Sequence, residues 1–167
     1  MEILLVPLEG VPLYATLFAS ETSRSILQFY RPDDLGFAVR VRTTSLGAAL
    51  SLVSELRWYV RRYTREVLFR LEEGVYASHA LAEEIYARES EPDAIGGGRH
   101  LFVFRSGSPL KVIPAEGGGK EVDTADMEGA ELVIDVRGPL RGEKAGEKEE
   151  GEGGDEAQNS DEMARSL

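Results

Sequence analysis

Cysteine is absent from the 167-residue chain. That excludes a disulfide scaffold, thiolate-bound zinc, iron–sulfur clusters and a thiol nucleophile. Histidine is scarce, with only His79 and His100, too few for a histidine-rich metal centre or proton relay. No apolar run approaches the roughly 20 residues that span a bilayer, so no membrane contact is predicted. The opening MEILLVPLEG has no basic region and carries Glu2, unlike a secretory leader. The expectation is a soluble, cytoplasmic protein.

What is present is 42% hydrophobic residues, enough for a core, and a strongly uneven charge. The whole chain carries −11, which argues against a nucleic-acid binder that uses its entire surface but leaves room for a local basic stripe. Residues 1–75 hold nine basic and nine acidic side chains, residues 76–141 seven and twelve, and residues 142–167 three and nine. The last stretch is mostly Gly, Glu, Lys, Asp and Ala, with few apolar residues and no aromatic one. It has too little apolar surface to offset its ordering entropy and reads as a disordered acidic tail. Such a tail serves solubility or covers a basic stripe elsewhere on the protein. Three units are expected: an α/β domain over 1–75, a helix with a small β unit over 76–141, and the tail over 142–167.

Within the first unit, MEILLVP reads as a buried strand closed by Pro7, and 11–19 as a short helix. Ser23–Tyr30 reads as a strand. Pro32-Asp33-Asp34-Leu35-Gly36 is turn chemistry. Phe37, Val39 and Val41 alternate with Arg40 and Arg42, the pattern of a half-buried strand paired in a hairpin with 23–30. A long helix follows, capped by Thr44 or Ser45. Leu46, Leu50, Val53, Leu56, Val60, Tyr63, Val67 and Leu71 recur at steps of three and four, and Gly74 supplies a stop. This helix would run about 42 Å at 1.5 Å per residue. The predicted fold is α+β: a β-α-β-β-α split, ferredoxin-like two-layer sandwich with a small C-terminal β extension. The extension comprises a helix over about 76–89 and strands at RHLFVFR, PLKVIP and AELVIDV. It either continues the first sheet or forms a separate module.

Arg57, Arg61 and Arg65 fall at i, i+4 and i+8 of the predicted helix, with Arg62 beside them and Tyr59 and Tyr63 interleaved. Only Arg62 has an acid four residues on, Glu66. Such a stripe suits phosphates, with tyrosine stacking on unpaired bases. The plainer reading is a solvated helix face. Trp58, the one tryptophan, is either core or an interface anchor. His79 and Glu83 share a face but do not make a metal site. The glycine runs at 96–98 and 117–119 lack P-loop spacing. Asp123, Asp126, Glu128, Glu131 and Asp135 read as a solvated acidic face. No residues argue for catalysis, a metal or a cofactor.

The segment Thr44-Ser45-Leu46 through Ser51-Leu52-Val53-Ser54-Glu55-Leu56-Arg57-Trp58 resembles the long-helix signature of the small dimerisation subunit of the KEOPS complex. Ser54, Leu56, Arg57 and Trp58 stand at matching spacing. Val53 stands where that family usually has Asn, and the first helix and following loop are short for it. The resemblance spans about residues 1–73. It implies a non-catalytic homodimeric scaffold that docks by its helix on the threonylcarbamoyl-transferase subunit of a tRNA-modifying complex and contributes to tRNA binding. On that reading Leu50, Val53, Ser54, Leu56, Trp58 and Val60 meet the partner, and Arg57, Arg61, Arg62 and Arg65 meet RNA. The alternatives are an RNA-binding component of a ribonuclease P or ribosome-assembly particle, and a protein-interaction adaptor.

Overall fold

The computed structural model describes residues 1–88, 98–115 and 124–142. The acidic segment 143–167, both glycine runs apart from Gly98, and Asp123 lie outside the described residues.

The strand opening the chain is β1 (Glu2–Pro7). Two short helices follow, α1 (Leu13–Ala19) and α2 (Glu21–Leu27), then the two-residue β2 (Asp33–Asp34) and β3 (Val39–Arg42). Next come α3 (Leu46–Glu55), α4 (Arg57–Tyr63) and β4 (Thr64–Glu72). The remainder is β5 (Val75–Ala77), α5 (His79–Arg88), β6 (Arg99–Phe104), β7 (Lys111–Pro114), α6 (Thr124–Met127) and β8 (Leu132–Arg137). Among the described residues, eight strands form one sheet in the order β2-β3-β1-β4-β5-β8-β6-β7, and of their pairs only β5–β8 is parallel. The expected α+β class is what the chain adopts, and residues beyond 75 continue the first sheet.

Three local expectations are corrected. Residues 23–30 form no strand; α2 occupies 21–27. Ser23 and Leu27, four apart, are both buried on one helix face, and Glu21 places a negative charge in the first turn, where the helix dipole favours it. The hairpin with β3 is therefore absent, and β3 pairs with β1 and β2. The long helix is also absent. Ser45 caps α3 by accepting from the Ala48 N–H at 3.1 Å, but at Leu56 the backbone leaves helical geometry (φ −89°, ψ 10°). After Tyr63 the chain extends into β4, the neighbour of β1 at the centre of the sheet. Gly74 consequently ends no helix. It adopts φ +76° in the turn of the β4–β5 hairpin, where glycine carries no Cβ penalty. The helix expected from residue 76 begins at His79, because Tyr76 and Ala77 belong to β5.

Each of β1 and β4 is buried on both faces. Ile3, Leu5, Val67 and Phe69 face a core completed by the helices through Leu13, Leu17, Leu27, Leu52, Leu56 and Leu81. Leu4, Val6 and Leu68 face the opposite way, against Phe102, Phe104, Ile134 and Val136. That second cluster requires the sheet to roll. Phe37, just before β3, and Phe104 on β6 lie five strand steps apart, which is about 24 Å in a flat sheet, yet their ring centroids are 4.6 Å apart. The β5–β8 half thus folds over the face of the β1–β4 half. The expected two layers become helices, sheet and returning sheet.

Candidate partner and nucleic-acid interface

The short helix α4 is anchored on one side and exposed on the other. Val60 enters the helix-side core, and the Tyr59 hydroxyl shares a 2.5 Å hydrogen bond with Ser20 Oγ at the α1–α2 junction. That bond holds the Tyr59 hydroxyl below its usual pKa. Thr64 Oγ1 donates back to the Val60 carbonyl at 2.5 Å. From far along the chain, the Arg141 guanidinium closes the helix end. Its Nη1 donates to the carbonyls of Val60 (3.0 Å) and Thr64 (2.9 Å), and its Nη2 to that of Arg61 (2.9 Å). A cation placed on these C-terminal carbonyls adds hydrogen bonds to them and opposes the negative end of the dipole. The Arg141 backbone N–H also donates to Glu66 Oε1 at 2.6 Å.

The exposed side is aromatic and cationic. Trp58 is 58% exposed. The Arg62 guanidinium lies over its ring at 5.2 Å from the centroid and 5.9 Å from that of Tyr63, within range of cation–π attraction. Tyr59 and Tyr63 meet the indole edge-on at 4.9 and 6.1 Å. Arg57 and Arg61 are exposed one helical turn apart. Residues 56–65 contain four arginines and no acid.

The structure divides the residues expected to meet a partner. Val53, Leu56 and Val60 belong to the chain's own core, and Leu50 packs partly against it. This leaves Ser54 and Trp58 accessible. The core takes the three apolar side chains because α3 and α4 are the lid over Ile3, Leu5 and Phe69. Among the arginines, 57, 61 and 62 share α4. Arg65 does not; it projects from β4, with Nη1 donating to the Leu110 carbonyl at 3.4 Å. Glu66 is buried on β4 and bonds to Arg141, so it is not the helical neighbour of Arg62 that the spacing implied.

The other sequence candidates disperse. Asp126 pairs with Lys111, and Asp135 with Arg99 at 2.8 Å. His79 stacks on Phe69 at 5.6 Å, its Nε2 3.2 Å from Glu83 Oε1, and burial lowers its pKa despite that carboxylate. His100 is a buried β6 residue. No group of three or more His, Asp or Glu among the described residues could hold a metal ion. No helix among them is long and apolar enough to cross a membrane.

Sequence reasoning missed two features. One is Arg141, whose role depends on contacts some 80 residues distant and has no local signal. The other is a cleft of about 580 Å³ where the loops after β1, before β3 and after β6 converge, lined by Leu8, Phe37, Phe104 and Leu110 among others. Its one arginine, Arg105, is committed to the carbonyls of Glu128 and Asp126.

Residues 1–104 match a family described as a family of unknown function, DUF5804. The chain belongs to this family. The DUF5804 match takes in α4 and ends at the last residue of β6, so β7, β8 and Arg141 lie beyond it. No curated protein and no solved structure matches the chain.

Proposed function

We propose that this DUF5804 protein is a non-catalytic binding subunit that contacts RNA through the exposed face of α4. One observation carries the reading: a half-exposed Trp58 sits against Arg62 on a seven-residue helix that also exposes Arg57 and Arg61. Arginines supply charge to phosphates, and an indole supplies a stacking platform for an unpaired base. The test is binding of an unmodified tRNA transcript at graded salt. Alanine at Arg57, Arg61 and Arg62 together is expected to lower the slope of log K against log salt by about 2–3, at 0.7–0.9 per phosphate contact. Trp58→Ala is expected to weaken binding by about 1–3 kcal/mol, the worth of one stacked base. The reading fails if neither the natural chain nor a variant with amides in place of the nine acids of 143–167 binds RNA at low salt.

A narrower reading makes the protein a dimeric scaffold of a threonylcarbamoyladenosine-forming KEOPS complex. The order β2-β3-β1-β4, antiparallel throughout with helices in both long connections, favours it. That is the strand order of a split, ferredoxin-like unit. Against it stands the break at Leu56, inside the Ser54-x-Leu56-Arg57-Trp58 signature that the resemblance places on one continuous helix. Co-purification of the transferase subunit in near-equal amount supports the scaffold; its absence while RNA co-purifies leaves the broader reading alone.

A further inference from the structure

The described chain ends beside the surface just assigned. Arg141 lays its guanidinium on the carbonyls of Val60, Arg61 and Thr64, at the C-terminal end of α4. Everything after Gly142 therefore departs from a fixed point within one side chain's reach of that helix. What departs is acidic: residues 143–167 carry nine carboxylates and three basic side chains. Five of the carboxylates, Glu143, Glu147, Glu149, Glu150 and Glu152, fall within ten residues of Gly142. Ten residues span up to about 33 Å, and α4 is only about 10 Å long at 1.5 Å per residue. Reach and charge thus agree.

From this juxtaposition we propose that the acidic segment 143–167 is the resident occupant of the α4 face, lying across Arg57, Trp58 and Arg62. Tethering makes the encounter intramolecular, with an effective concentration in the millimolar range for a short linker, so weak individual ion pairs suffice. The contacts are exposed, so they are screened once the Debye length falls to a few ångströms. The occupant is an anionic chain on an arginine-rich face, the chemistry an RNA backbone would present there. On the RNA reading, with which this inference shares its surface, the segment competes with RNA; the docking itself stands independently of that reading.

Trp58 is the only tryptophan and the chain has no cysteine, so both ends of the contact can be probed in the full-length protein. Acrylamide quenching of Trp58 reports coverage. Replacing the nine acids of 143–167 by their amides is expected to raise the quenching constant about twofold at low salt, and about 0.5 M NaCl to do the same for the natural chain. A nitroxide on Ser160→Cys locates the segment. It is expected to broaden the amide signals of Arg57–Tyr63 at low salt, and to lose that effect at high salt or with Arg57 and Arg62 both changed to alanine. Equal quenching constants at low salt, or broadening that spares α4, overturns the proposal. RNA binding tells the two inferences apart. Tighter RNA binding by the amide variant together with its raised quenching constant supports both. A change in quenching with no RNA binding by either protein keeps the docked segment and removes the RNA reading. Equal quenching and equal RNA affinity remove the docked segment and leave the RNA reading in place.

Discussion

The two faces of β1 and β4 are closed by different means. One face is covered by helices near in sequence to the strands they cover: Leu13 and Leu17 follow β1, and Leu52, Leu56 and Val60 precede β4. The other is covered by the sheet's own return, with Phe102, Ile134 and Val136 arriving from 34 to 132 residues away. Local closure needs little loop-closure entropy, whereas the return joins residues far apart in sequence and costs more. The helix face is thus the natural seat of a folding nucleus, and the returning half the natural place for partial opening.

The largest test of that contrast compares Phe69→Ala with Phe102→Ala, both fully buried but on opposite clusters. Each is expected to cost about 3–5 kcal/mol by urea denaturation. Phe69→Ala should slow folding, and Phe102→Ala should mainly raise the unfolding rate. Hydrogen exchange in Phe102→Ala should show β6–β8 opening before β1 and β4. Simultaneous loss of protection in all strands would make the two faces one cooperative unit.

Arg141→Ala removes the cap on α4 and the backbone-anchored end of the returning half. Its expected cost is about 1–2 kcal/mol, below the full worth of charge-assisted bonds because the residue is exposed. A smaller effect is expected from pH. Burial lowers the His79 pKa from 6.5, with Arg141 acting in the same direction and Glu83 against it. The folded state favours the neutral ring, so its contribution is complete above pH 6.5 and declines as pH falls from there toward the lowered folded value. The urea midpoint of the natural chain should therefore drop more between pH about 7 and about 5.5 than that of His79→Gln, which lacks the titrating ring. A parallel drop would remove the linkage. The smallest stability change belongs to Trp58→Ala, within about 0.5 kcal/mol, as expected of an exposed side chain. A large loss would make Trp58 part of the core rather than of a contact surface.

Several elements were legible from residue patterns. The alternation of Phe37, Val39 and Val41 marks β3, the apolar run at 101–104 marks β6, and Ser45 marks the start of α3. The failures share a cause. Val67, Leu68 and Phe69 form an unbroken apolar run because β4 is buried on both faces, and such a run has no period to distinguish strand from helix. Val60, Val67 and Leu71 keep helical steps by coincidence, so α4 and β4 read as one helix. Of the candidate interface, the arginines of α4 and Trp58 were visible as residues. Their exposure was not, because whether Trp58 or Leu56 turns outward depends on a break at Leu56 that the residue pattern does not mark.

The amino-acid sequence by itself determined the α+β class, the absence of thiol chemistry, the uneven charge and the arginine-rich stretch 56–65. These follow from composition and from short-range pattern, which do not depend on the rest of the chain. The tertiary structure decided that this stretch divides into a short helix and a central strand, that the sheet rolls back on itself, and that Arg141 closes the C-terminal end of α4. Each of these turns on contacts between residues dozens of positions apart, where the burial of Leu68 and Phe69 on both faces outweighs any local preference for helix.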